Sequence, residues 1–107
     1  MNNIEIKDDS LVRLRDSLEF VDDSRISILT QGVGDNTNAT ICIEECSELI
    51  KEITKKLRDP FRGTEPMIEE IADVIISIKI LMNVYHLSKE ELLEMYERKM
   101  DRNLKRK

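Results

Sequence analysis

A chain of 107 residues encloses one domain around one core and leaves no room for a second. With two Phe, two Tyr and no Trp, that core falls to Ile, Leu, Val and Met, whose aliphatic side chains interdigitate between helices; three Gly and two Pro point the same way. The net charge of −5 excludes a general nucleic-acid binder, because neutralising a phosphate backbone takes a basic surface, so any phosphate handled here needs a cation.

The opening residues, MNNIEIKDDS, carry no basic run followed by an apolar one, and the most apolar stretch of the chain is interrupted by Asp73 and Lys79. Neither export nor membrane insertion is expected. Cys42 and Cys46 lie four apart in a helical pattern, where they share a face rather than staple distant segments. That favours a reducing, cytoplasmic setting and assigns both thiols to ordinary core packing.

In chain order, Asp9 or Ser10 is placed to cap a first helix, along which Leu11, Leu14, Leu18 and Val21 lay one apolar stripe. A short apolar stretch, Ile26 to Leu29, follows and runs into the loop Gly32-Val33-Gly34-Asp35-Asn36, so residues 1–35 read as an N-terminal helical arm and loop. With a start at Asn36 or Thr37, the next helix extends from Asn38 to about Lys56. Its apolar positions Ile43, Cys46, Ile50, Ile53 and Leu57 step alternately by three and four along a narrow seam.

Both prolines and a glycine break the chain between Arg58 and Pro66, and Pro66 suits the first turn of a further helix, making a helix–loop–helix hairpin. That helix, about Met67 to His86, is apolar nearly all round, with Ala72, Lys79 and Asn83 on its solvent side. Three or four helices can hardly surround such a helix, so a second copy completing the bundle is the economical expectation, as a homodimer or a dimer of dimers. Ser88 and Glu91 form a capping box for a last helix carrying Leu92, Leu93, Tyr96, Met100 and Leu104. The fold class expected is all-α, a helical bundle completed by dimerisation, with residues 36–107 forming the main domain.

Four carboxylates, Glu44, Glu45, Glu48 and Glu52, fall within an arc of about 100° on the second long pattern. Taken alone they read as a solvated face paired with Lys51, Lys55 and Lys56. Glu70 and Asp73 are different, because a helical wheel sets them with Ser77, Leu81 and Val84 on the apolar side. Unpaired carboxylates there are expected to be neutralised, paired or metal-bound. Glu45 and Glu48 at i,i+3, facing Glu70 and Asp73 at i,i+3 across the hairpin, make an all-oxygen nest, which selects Mg²⁺ or Mn²⁺ over zinc. His86, the only histidine, lies some four turns from Glu70 and reads as a surface imidazole at a helix end.

The run Glu44-Glu45-Cys46-Ser47-Glu48, then 21 residues, then Glu70-Ile71-Ala72-Asp73, resembles the EExxE…ExxD signature of the all-α nucleotide pyrophosphohydrolases. This MazG-like superfamily also includes dimeric dUTPases, dCTP pyrophosphatases and phosphoribosyl-ATP pyrophosphatase. The flanks Glu48-Leu49-Ile50 and Ala72-Asp73-Val74-Ile75-Ile76 are similar to the family's ELI and ADVLI contexts, and the resemblance covers roughly residues 36 to 106. It implies that Glu45, Glu48, Glu70 and Asp73 bind Mg²⁺, which Mn²⁺ can replace, with Glu44 a second-metal ligand or a helper to the attacking water. It further implies substrate contacts at Lys99 and Asn103, which match the family's C-terminal K…N element, and at Asn38, where many relatives carry Gln. A basic helix end favoured by the macrodipole is the plain alternative for Lys99 and Asn103.

The implied activity is Mg²⁺-dependent hydrolysis of a nucleoside triphosphate to the monophosphate and pyrophosphate. The rivals are a dUTP- or dCTP-directed enzyme, a phosphoribosyl-ATP pyrophosphatase, and a non-enzymatic helical dimer serving as an interaction module. Base preference depends on a pocket that the sequence does not spell out.

Overall fold

The computed structural model describes residues 23–107, in which all regular structure is helical: α1 (Asp23–Thr30), α2 (Asp35–Arg58), α3 (Glu65–Val84) and α4 (Lys89–Arg106). The stripe expected over Leu11 to Val21 lies outside the described residues. All three long helices foreseen from the sequence are present.

Local chemistry sets each boundary. After α1, Gly32 takes a left-handed φ of +74°, which turns the chain back at no steric penalty. Gly34 is extended at the head of α2, whose first turn holds Asp35 and whose last turn holds Lys55, Lys56 and Arg58, charges that complement the helix dipole. The connection to α3 is braced: Lys56 Nζ donates to the Pro60 and Arg62 carbonyls, both at 2.6 Å, and Asp59 Oδ1 accepts from the Phe61 N–H at 3.1 Å. Pro66 then sits in the first turn of α3, where its missing N–H has no partner to lose.

The far end of α3 closes with a left-handed residue that is not glycine, since His86 has φ 54°. The Leu87 N–H reaches back to the Met82 carbonyl at 2.9 Å, the six-to-one bond of a Schellman turn. Ser88 opens α4, its hydroxyl accepting from the Glu91 N–H at 3.1 Å and donating to the Glu90 carboxylate. The cap inferred from Ser88 and Glu91 is therefore present on the hydroxyl side.

Packing is dominated by the α2–α3 hairpin, with α1 laid on α3 and α4 making no extensive packing with any other described helix. The face α2 turns to α3 is not its apolar seam. Asn38, Cys42, Glu45, Leu49, Glu52 and Lys56 are the positions buried or half-buried there. The seam lies about a quarter turn round the helix and is open, with Ile50 63 % and Leu57 77 % exposed. Cys46 shares that outward face, so only Cys42 is a core thiol.

Lys79 corrects the expected solvent side of α3. It is 6 % exposed, because α1 packs over this part of the helix, whereas Ala72 and Asn83 are exposed as foreseen. A wheel drawn for one helix puts any cation outward by default and cannot anticipate a neighbour arriving from 50 residues upstream. Among the described residues Ile26 and Cys42 are the only buried apolar side chains, and neither is wholly enclosed. Ile43, Ile50, Leu57, Ile68 and Ile71 leave a broad apolar surface uncovered.

Candidate metal centre

The braced loop returns α3 antiparallel along α2 and so sets the two acidic motifs face to face. Glu45 from α2 meets Glu70 and Asp73 from α3, one carboxylate oxygen of each lying within 4.8 Å of the others. Glu45 and Glu70 are half-buried. Asp73 is exposed, which corrects the expectation that both acids of α3 are buried: only Glu70 faces squarely into the hairpin, with Asp73 at its rim.

Three like charges this close oppose their own ionisation. Burial, then the charges of Asp73 and Glu70, push the Glu45 carboxyl above the usual glutamate range, and Glu45 is also within hydrogen-bonding reach of Asp73. Burial followed by Asp73, Glu48 and Glu52 does the same to Glu70. The Glu70 Oε2 atom is buried with no hydrogen-bond partner. An orphaned carboxylate oxygen beside two further carboxylates has the chemistry of a hard-cation ligand set: oxygen donors, surplus negative charge, and an acceptor that no protein group satisfies.

The other residues implied as ligands or contacts stand around this triad. Glu48 is exposed and accepts from Lys51 Nζ at 3.1 Å, yet its charge is felt at both Glu45 and Glu70, so it flanks the cluster. Glu44 is exposed and does not join the group. Asn38, two turns before Glu45 on the same face, is buried and donates its amide to the Val33 carbonyl at 3.5 Å. Lys99 and Asn103 are exposed on α4, which does not pack extensively against the hairpin.

One participant is absent from the sequence reading. Arg62, from the interhelical loop, donates through Nη2 to Glu52 Oε2 at 3.0 Å, while Lys55 holds Oε1 at 3.2 Å. The Arg62 bond leads in holding Glu52 below the usual range. Glu52 is thereby committed to the loop, although it lies close enough for its charge to register at Glu70. An arginine ten residues on, beyond a proline, gave no periodic signal.

Residues 34–106 match the family model described as the MazG nucleotide pyrophosphohydrolase domain. The chain belongs to this family. The match spans α2, α3 and α4 and contains the whole acidic triad. Searches of curated proteins and of solved structures returned no match. As a MazG-family domain the chain is all-α and carries an acidic cluster suited to a divalent cation, with nucleotide pyrophosphohydrolysis as the activity of the family. No described helix is long and apolar enough to cross a membrane.

Proposed function

We infer that this MazG-family domain hydrolyses a nucleoside or deoxynucleoside triphosphate between its α- and β-phosphates, releasing the monophosphate and pyrophosphate. The observation that carries this reading is the convergence of Glu45, Glu70 and Asp73 around a buried, unpartnered Glu70 oxygen. Such a group binds a cation or suffers the repulsion described above.

Glu45, Glu70 and Asp73 would hold Mg²⁺, or Mn²⁺ in its place, with Glu48 joining from the flank on release from Lys51. Bound there, the ion supplies charge neutralisation for the triphosphate and for the departing pyrophosphate. The chain's own contribution is positional. The braced 59–64 loop fixes α2 against α3, so the carboxylates are held in place before substrate arrives. Glu44, exposed beside Glu45 and outside the triad, would act in this reading as a second-metal ligand or as a helper to the attacking water. Lys99 and Asn103, one helical turn apart on α4, supply a cation and an amide for the phosphate tail.

The protein acts as a homodimer or a dimer of dimers in this reading, which the open seam of α2 supports. It is assigned to the cytoplasm, with a nucleotide rather than a nucleic acid or membrane as partner. A purely structural helical dimer gains nothing from an orphaned carboxylate between its helices.

The test is pyrophosphate release from a panel of canonical and modified nucleoside triphosphates, with Mg²⁺, with Mn²⁺ and with EDTA. Metal-dependent formation of the monophosphate is the expected result, and the panel ranks the bases. A folded protein silent on every triphosphate would transfer the assignment to phosphoribosyl-ATP or to the interaction module.

A further inference from the structure

The face of α2 that meets α3 carries two half-buried carboxylates, Glu45 and Glu52, which stand about two helical turns apart on one line. Only Glu45 joins the triad. Glu52 has a side chain just 13 % exposed, and its charge reaches Glu70, the acid of α3 nearer the connecting loop. By place and burial it is a further oxygen donor for a cation at this face. What sets it apart is Arg62.

Arg62 is fixed at its backbone before its guanidinium makes any contact. Its carbonyl accepts from Lys56 Nζ at 2.6 Å and its N–H donates to the Asp59 carbonyl at 3.0 Å. From that anchored position Nη2 donates to Glu52 Oε2 at 3.0 Å. Among the described residues two buried side-chain polar atoms have no hydrogen-bond partner, Arg62 Nε and Glu70 Oε2. Arginine and a carboxylate often meet at two points, yet here a buried donor is left over. The loop thus fixes where the cation stands at the expense of its best hydrogen-bond geometry. The second flanking acid is treated differently: Glu48 is held only by Lys51 in an exposed i,i+3 pair, a contact easily given up.

We propose that Arg62 is a positioning residue of the metal centre, withholding Glu52 from the ion while Glu48 remains free to join. The inference rests on the reading of the triad as a divalent-cation site. Mg²⁺ accepts about six oxygens, so one from each of Glu45, Glu48, Glu70 and Asp73 leaves about two places for phosphate and water. A released Glu52 would compete for those places and add a negative charge facing the triphosphate. Lys55, the remaining partner of Glu52, is a half-exposed i,i+3 neighbour and does not hold it alone.

Mn²⁺ titration of the full chain without nucleotide, followed by the electron paramagnetic resonance signal of the free aquo ion, gives both the dissociation constant and the number of ions bound. Glu52→Gln should leave the dissociation constant within about twofold, whereas Arg62→Met should tighten it about tenfold or admit a second ion, and Arg62→Met combined with Glu52→Gln should restore the original value. A Glu52→Gln variant weakened about tenfold would show Glu52 to be a ligand already and would overturn the proposal. So would a helical Arg62→Met variant with unchanged binding. Equal and opposite shifts in the two single variants would overturn it as well, since Arg62 would then act through its field alone. Glutamine at 52 keeps an acceptor for Arg62, so that arm decides even if Arg62→Met loses helicity by circular dichroism. Absence of Mn²⁺ binding by the unaltered chain is a separate result, which would remove the metal-centre reading and this inference with it.

Discussion

If the proposed dimer forms through the open seam of α2, replacing Ile50 with Glu should weaken it while leaving the protomer's internal contacts intact. Ile50 is 63 % exposed and stands at the middle of a seam that runs from Ile43 to Leu57 and contacts little within its own chain. Burying a whole isoleucine side chain is worth about 1.5–3 kcal/mol, so covering the exposed part recovers about 1–2 kcal/mol. A two-fold interface uses each position twice, giving about 2–4 kcal/mol per dimer before the added cost of desolvating two glutamates. That corresponds to a dissociation constant roughly 30- to 1,000-fold weaker. Sedimentation equilibrium over a dilution series, with helicity followed by circular dichroism, reads the change directly. A wild-type chain that is folded and monomeric throughout the series, or an I50E variant with an unaltered mass distribution, would refute the assignment of this seam to a partner copy.

Glu70→Gln and Asp73→Asn should each lower metal-dependent turnover by more than about 100-fold, beyond the usual effect of losing an outer-shell partner, while raising the melting temperature of the metal-free protein by relieving repulsion; unchanged turnover in both would remove them from the site. In the metal-free protein Glu45 and Glu70 bind protons more tightly folded than unfolded, so their contribution to stability is fully present below about pH 4.3 and is lost as pH rises through their elevated folded values. Thermal melts in EDTA should show stability falling over that rise, and saturating Mg²⁺ should reduce the slope; a slope indifferent to Mg²⁺ would argue against a cation at the triad. His86→Gly should stabilise the fold by about 0.5–1 kcal/mol, a few degrees in Tm, since glycine takes the left-handed turn after α3 without a Cβ penalty; a lower Tm would show that the imidazole's own contacts contribute more than its backbone conformation takes away.

The hairpin was legible because its signals are local. Pro66 and Ser88 mark helix starts through their own chemistry, and the i,i+3 spacing of Glu70 and Asp73 needs only helical geometry to be read. The meeting of Glu45 with that pair follows once the chain is broken at residues 59–64. What the residue pattern did not disclose depends on neighbours distant in sequence. Lys79 was set on the solvent side because nothing on α3 announces that α1 packs there. Arg62 sits in a loop without periodicity, so its bond to Glu52 has no pattern to reveal it. The apolar seam of α2 was evident as a stripe, but a stripe does not say whether it faces its own hairpin partner, and here it turns away. Placement of Lys99 and Asn103 was equally out of reach, since α4 makes no extensive packing with the other described helices.

The three carboxylates of the triad come from consecutive helices joined by a short loop, and that closeness shapes how the protein folds as well as what it binds. Contacts between neighbours in sequence demand the least loop-closure entropy, so the α2–α3 hairpin is the part of the chain able to form earliest. Glu45, Glu70 and Asp73 are then forced together while much of the apolar surface is still in water, and their repulsion opposes the step that brings the helices into register. A divalent cation held by the triad at that moment would lower the barrier itself, acting on the rate of folding and not only on the stability of the product.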